Sequence, residues 1–178
     1  MPLSTDRGAV IRGLIRDIPD FPKKGILFKD ITPLLADPRG FHMVLDAFAE
    51  EFVGTHLDAI VGIESRGFIF GAALAARLNC SFVPVRKPGK LPAAVDRVSY
   101  ALEYGEGSLE MHKHSIAEGA NVLIVDDLLA TGGTAVGAAE LVRKQGGIVL
   151  AFAFVVELAF LSGRERLMPV PVKSVVTF

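Results

Sequence analysis

The stretch AIVGIESRGFIFGAALAARLNCSFVPV, Ala59 to Val85, decides the fold class. AIVGI (59–63) and SFVPV (81–85) are short, β-rich apolar runs, and GFIFGAALAARL (67–78) between them reads as a helix. Strand, helix and strand in this order make a crossover connection, which joins parallel neighbours in one sheet. The same rhythm returns in VLIVD (122–126), TAVGAAELVRKQ (134–145) and IVLAFAFVV (148–156). The expected class is therefore α/β, with a mostly parallel central sheet flanked by helices. Upstream, Val10, Leu14, Ile15 and Ile18 recur at helical spacing and stop at Pro19, which predicts a first helix over residues 4–17. FPKKGILFKDITPLLADP (21–38) follows as a loop punctuated by Pro22, Gly25, Pro33 and Pro38. Phe41, Val44, Leu45, Phe48 and Phe52 then mark one face of a second helix. Residues 93–118 are polar, aromatic-spotted and Gly-containing, and read as an excursion such as a hairpin or lid.

A chain of 178 residues is enough for one compact domain, expected over 1–178. Its 19 basic and 20 acidic residues leave a net charge of -1, which exerts no pull toward nucleic acid or an anionic membrane. A small molecule is the expected partner. The longest apolar run, IVLAFAFVVELAFL (148–161), contains Glu157 and falls short of the roughly 20 residues that span a bilayer, so it reads as a buried strand running into a turn. Arg7, Arg12 and Arg16 interrupt the N-terminal apolar residues, so no signal peptide is expected. The single cysteine, Cys80, excludes an internal disulfide framework and points to the cytoplasm. His42, His56, His112 and His114 form no metal-ligand grouping.

In open parallel sheets ligands bind beyond the carboxyl ends of the strands. Three such ends carry chemistry. AIVGI delivers Glu64, Ser65, Arg66 and Gly67; SFVPV delivers Arg86, Lys87, Gly89 and Lys90; VLIVD ends in Asp126 and Asp127, followed by Ala130, Thr131, Gly132, Gly133 and Thr134. Small residues let backbone N–H groups approach a ligand, and the helix that starts near Thr134 aims its positive dipole end at the same place. That is a phosphate cradle, to which Thr131 and Thr134 add hydroxyls. The acidic pair would then face what the phosphate is attached to: sugar hydroxyls, a bound divalent cation or a developing positive charge. The chain has no G-x-x-x-x-G-K-[ST] motif, and no G-x-G-x-x-G follows a strand.

Four apolar residues, two acidic residues and then ATGGT resemble the 5-phosphoribosyl-1-pyrophosphate (PRPP) signature of the type I phosphoribosyltransferases. FPKKGILFKDITPLL, ESRGFIFG, VRKPGKLP, SYALEYG, VDDLLATGGT and GRERLMPVPV extend that resemblance, over nearly the whole chain, to the adenine phosphoribosyltransferases. The resemblance implies transfer of the 5-phosphoribosyl group from PRPP to adenine, giving AMP and pyrophosphate. It places the 5′-phosphate on Ala130 to Thr134 and the ribose hydroxyls on Asp126 and Asp127. Pyrophosphate falls to Glu64, Ser65 and Arg66 and to the basic Arg86, Lys87 and Lys90, the latter often reaching across a homodimer. Adenine is implied between Phe28 and Leu129, with main-chain groups near Leu27 and Lys29 reading its edge. Lys29 stands where Arg is frequent, and Pro88 where some relatives carry a basic residue. Glu103 is implied as the group that manages the purine proton, and Tyr104 as the residue that closes over the site. Mg²⁺ is implied as a companion of PRPP, with no dedicated protein ligand. The alternatives are a hypoxanthine, guanine or xanthine phosphoribosyltransferase, and a non-catalytic PRPP or purine sensor.

Overall fold

The computed structural model describes residues 5–101 and 106–178. They form two compact units, Met1–Phe52 and Val53–Phe178. In the first, helix α1 spans Thr5–Gly13, an antiparallel ribbon joins strands β1 (Arg16–Pro19) and β2 (Leu27–Asp30), and helices α2 (Thr32–Ala36) and α3 (Pro38–Glu51) follow. The predicted first helix is shorter than expected. It ends at Gly13, a poor helix former, and the residue before a proline favours extended backbone. Ile18, before Pro19, accordingly pairs with Phe28. The expected loop over 21–38 therefore contains a strand and a short helix. Asp30 starts that helix: its carboxylate accepts the Thr32 N–H and hydroxyl, both at 2.9 Å, and Arg16 at 2.6 Å. These bonds, the Thr32 N–H foremost, hold its pKa down to about 2. Asp37 caps α3 by accepting the Gly40 N–H at 2.6 Å, with Pro38 in the first turn where its missing N–H costs nothing. Val44, Leu45 and Phe48 on α3 are buried, as are Ile11 of α1 and Leu34 of α2.

The second unit is built on a five-stranded parallel sheet. Strands β3 (Ala59–Ile63), β4 (Ser81–Val85), β7 (Asn121–Leu129), β8 (Ile148–Glu157) and β9 (Val172–Thr177) lie in the order β4-β3-β7-β8-β9. Helix α4 (Gly67–Leu78) packs on β3 and β7, and helix α5 (Gly133–Lys144) packs on β7 and β8. Every residue of β3 is buried, as befits a strand covered on both faces. The predicted excursion is a hairpin of β5 (Val95–Ala101) and β6 (Glu106–His112), which lies along α5. Two findings differ from the sequence reading. β7 continues past Asp126 to Leu129, paired with β8 as far as Leu129 opposite Glu157, so the acidic pair lies within a strand end. β9 was not foreseen, because VKSVVT mixes polar and apolar residues and becomes a strand only through non-local pairing with β8. Among the described residues, no helix is long and apolar enough to cross a membrane.

Phe152 and Phe154 sit on one face of β8, 1% exposed each, with rings stacked 6.3 Å apart. Phe152→Ala empties a close-packed position and should lower unfolding stability by about 3–5 kcal/mol. Denaturant titration of both proteins measures this, and a loss within experimental error would mean that the layer repacks.

Candidate active site

The carboxyl ends of β3, β4 and β7 meet at one rim of the sheet in the second unit. A cavity of about 340 Å³ opens there, lined by Glu64, Ser65 and Arg66 after β3, Lys87 after β4, and the continuous run from Asp126 to Ala135. Glycine makes this approach possible. A Cβ on Gly67 would stand 2.8 Å from the Val125 carbonyl oxygen and 2.9 Å from Asp126 Oδ1, so only glycine lets the start of α4 lie against the end of β7. Gly132 precedes α5 with φ of +81°, the left-handed region that other residues avoid, and its carbonyl accepts the Val136 N–H at 3.0 Å. The first N–H groups of α5 have no partner within the helix and bring its positive dipole end to the cavity.

Asp126 and Asp127 do different work although they are adjacent. The Asp126 carboxyl is crowded by protein, and loss of water, followed by the negative charge of Asp127, pushes its pKa well above the usual carboxylate range. Its Oδ1 accepts the Asp127 N–H at 2.9 Å. Asp127 is 3% exposed, and burial raises its pKa too, against the opposing pull of Arg66. Arg66 Nε lies 2.8 Å from Asp127 Oδ2. Among the described residues this buried oxygen accepts no hydrogen bond. Burial and mutual repulsion thus oppose ionisation of the pair, and Arg66 works in the other direction.

The wall outside the turn comes from the segment Gly163–Leu167, a 3₁₀ turn in the GRERL motif. Gly163 is pressed against the Ala130 carbonyl so closely that a Cβ there would collide with it, and a Cβ on Gly132 would come within 2.7 Å of the Gly163 oxygen. Arg166 Nη1 donates to the Thr131 carbonyl at 3.3 Å. Arg164 fixes the segment to the sheet: it donates to Glu157 through Nε at 2.9 Å and Nη2 at 2.5 Å, and to the Val172 carbonyl at 2.7 Å. Those bonds outweigh the burial of Glu157 and lower its pKa.

The cavity gathers Glu64, Ser65, Arg66, Lys87, Asp126, Asp127, Leu129, Ala130, Thr131, Gly132, Gly133 and Thr134 from the sequence reading. Arg86 and Lys90 are not among its lining residues. Arg86 turns to Glu64 with two 3.2 Å bonds and donates to the Lys90 carbonyl at 3.1 Å. Burial would raise the Glu64 pKa, but Arg86 and the Lys87 N–H together bring it below its ordinary value. Leu27, Phe28 and Lys29 lie on β2 of the first unit, where Phe28 meets Phe21 edge to face at 5.1 Å and the Lys29 ammonium donates to Asp17 at 2.6 Å. Glu103 and Tyr104 lie outside the described residues. Sequence reading missed Tyr100, Leu109, Leu128, Ala135 and Phe154 as lining residues. Tyr100 stands in the quoted SYALEYG motif, and strand alternation through the hairpin was the available signal.

The phosphoribosyl transferase domain family matches residues 35–176. The chain is 69% identical over 173 residues to an adenine phosphoribosyltransferase of Sorangium cellulosum, covering 94% of this chain and 86% of that one. It is similar to the crystal structure of adenine phosphoribosyltransferase from Thermoanaerobacter pseudethanolicus, with a TM-score of 0.93 at 52% identity over 96% of this chain and 99% of that chain. It is also similar to the Saccharomyces cerevisiae enzyme complexed with an imino-altritol bisphosphate and adenine, with a TM-score of 0.91 at 42% identity over 97% and 99% of the two chains.

A buried acid whose folded pKa is raised binds its proton more tightly in the folded state, so it costs stability as pH rises from its unfolded value of about 3.9 toward the folded one. Asp126→Asn keeps the acceptor oxygen and removes that loss. The variant should therefore gain stability relative to the parent as pH rises above about 4, read as urea midpoints at a series of pH values. Parallel pH curves for the two proteins would rule the effect out.

Proposed function

The chain belongs to the phosphoribosyl transferase domain family, and we propose that it transfers the 5-phosphoribosyl group of PRPP to adenine, releasing pyrophosphate and forming AMP. The observation that carries this reading is the convergence of Asp126, Asp127 and the Ala130–Thr134 turn with Ser65, Arg66 and Lys87 around one cavity. A phosphate ester at the turn would accept main-chain N–H groups at the start of α5 and hydroxyl donors from Thr131 and Thr134. The ribose hydroxyls would then lie at the acidic pair, and the pyrophosphate toward Ser65, Arg66 and Lys87. Glu64 supports that side indirectly, by accepting from Arg86 and from the Lys87 N–H at 3.0 Å.

In the reaction a purine ring nitrogen bonds to the anomeric carbon as the carbon–oxygen bond to pyrophosphate breaks and its electron pair leaves with pyrophosphate. Positive charge gathers on the ribose, and the negative charge fixed at the Asp126–Asp127 pair stabilises it. Arg66 and Lys87 offset the charge of the leaving group. Glu103 is the proposed acceptor for the proton lost by adenine, and Tyr104 the proposed cover. In the first unit the proposed adenine contacts are Phe28 and the main chain at Leu27 and Lys29, and in the second Leu129. A two-stranded ribbon leaves each strand one row of unshared N–H and C=O groups, which suits reading of a base edge by backbone. Mg²⁺ is proposed to arrive with PRPP. Two adjacent carboxylates fall short of an octahedral set, which fits a cation that keeps phosphate and water ligands, and once bound it draws charge from the departing pyrophosphate.

The proposed setting is the cytoplasm and the proposed assembly a homodimer, in which Arg86 and Lys90 serve the neighbouring site. Phe160 and Met168, each 73% exposed, support burial of further apolar surface. Sedimentation of an active monomer would remove the assembly claim.

A panel of nucleobases with PRPP should yield nucleotide from adenine in preference to hypoxanthine, guanine and xanthine, and chelation of Mg²⁺ should suppress it. Preference for an oxopurine would replace adenine as the substrate, and absence of any nucleotide would favour a sensor. In the same assay Asp127→Asn should lower turnover about 10²- to 10³-fold in a folded protein.

A further inference from the structure

The hairpin residue Tyr100 lies in a slot whose walls are two glycines. Gly107 is its cross-strand partner, and a Cβ there would stand 2.6 Å from Tyr100 Cζ. Gly137 lies on α5, and a Cβ there would stand 2.7 Å from Tyr100 Cδ1. Neither glycine has a positive φ, so each is required for space and not for backbone conformation. The slot delivers the phenol to the cavity. Its oxygen is 3.5 Å from Thr134 Oγ1, the hydroxyl at the end of the phosphate turn, and Tyr100 lines the cavity. In that contact Thr134 donates, which leaves the phenol its own O–H to give to a third group.

The other end of β5 is tied to the far end of α5. Gln145 Nε2 donates to Asp96 at 3.0 Å, and Lys144 Nζ lies 3.3 Å from the same carboxylate. The strand therefore runs along the helix with fixed contacts at both ends, and Tyr100 is the contact at the phosphate end. It stands three residues before Glu103 in sequence.

We propose that the Tyr100 hydroxyl binds the 5′-phosphate of PRPP together with Thr134 and so couples occupancy of the phosphate turn to the β5–β6 hairpin. The proposal rests on the reading of the cavity as a PRPP site. Two hydroxyls at 3.5 Å hold each other weakly, whereas a phosphate oxygen between them would accept from both. A residue that only packed the hairpin on α5 would need the ring and not the oxygen, which sets the test.

Tyr100→Phe keeps the ring in its slot and removes one oxygen. The full chain and this variant are titrated calorimetrically with ribose 5-phosphate and with PRPP, and KM is measured for both substrates. Losing a hydrogen bond to a charged group should weaken both phosphate esters about 10- to 100-fold while leaving the KM for adenine within about twofold. The melting temperature without ligand should match the parent, and the rise in melting temperature on adding ribose 5-phosphate should shrink. Gly137→Ala, which pushes the ring out of the slot, should weaken the same two ligands. If Tyr100→Phe binds ribose 5-phosphate and PRPP as the parent does, the role of Tyr100 is overturned and the proposed reaction stands. A parent that binds neither ester would overturn the reading of the cavity, and this inference with it.

Discussion

Two carboxyl groups held side by side out of water repel each other and lose hydration, and the second unit is arranged around the cost of keeping Asp126 and Asp127 together. Arg66 approaches Asp127 to 2.8 Å, which requires the β3–α4 turn to reach the end of β7. Gly67 permits that reach, because any side chain there would strike Val125 and Asp126. The parallel order β3-β7-β8 follows suit, since it brings the turn after β3 beside the acidic end of β7. A hydrophobic replacement would remove the conflict and the chemistry together.

A second layer of constraint acts from outside the site. Glu157 and Arg164 spend their hydrogen bonds on each other, on Ser174 and on the Val172 carbonyl, and none of these touches the cavity. Their effect passes through Gly163, which abuts Ala130 and Gly132, and through Arg166, which holds the Thr131 carbonyl. A trans peptide points its C=O and N–H in opposite directions. Fixing the Thr131 carbonyl on the outer side therefore fixes the direction of the Gly132 N–H.

Most of the parallel sheet was legible from sequence because β3, β7 and β8 are largely buried and, like β4, write themselves as apolar runs of strand length. The residues at their carboxyl ends were legible for the same reason, as charged and small residues stand out against such runs. β2 and β9 were not, since LFKD and VKSVVT gain their form from partners far along the chain. The turning of Arg86 onto Glu64 was equally hidden: a basic cluster does not declare which acid it will pair with. Tyr100 was visible as a letter in a motif, but its place depends on missing side chains at Gly107 and Gly137, and such a space has no local signature.

The contact between Gly163 and the Ala130–Gly132 backbone also bears on the entropy of ligand capture. Flexible Gly-rich loops lose considerable freedom when a ligand orders them, and that loss is subtracted from affinity. Here the loop is wedged between α5 and a segment anchored to β8 and β9, so its order is set during folding and not at the moment of binding. Capture of a phosphate ester at this turn, as proposed, would then draw its thermodynamic character from desolvation and charge, with little contribution from immobilised main chain.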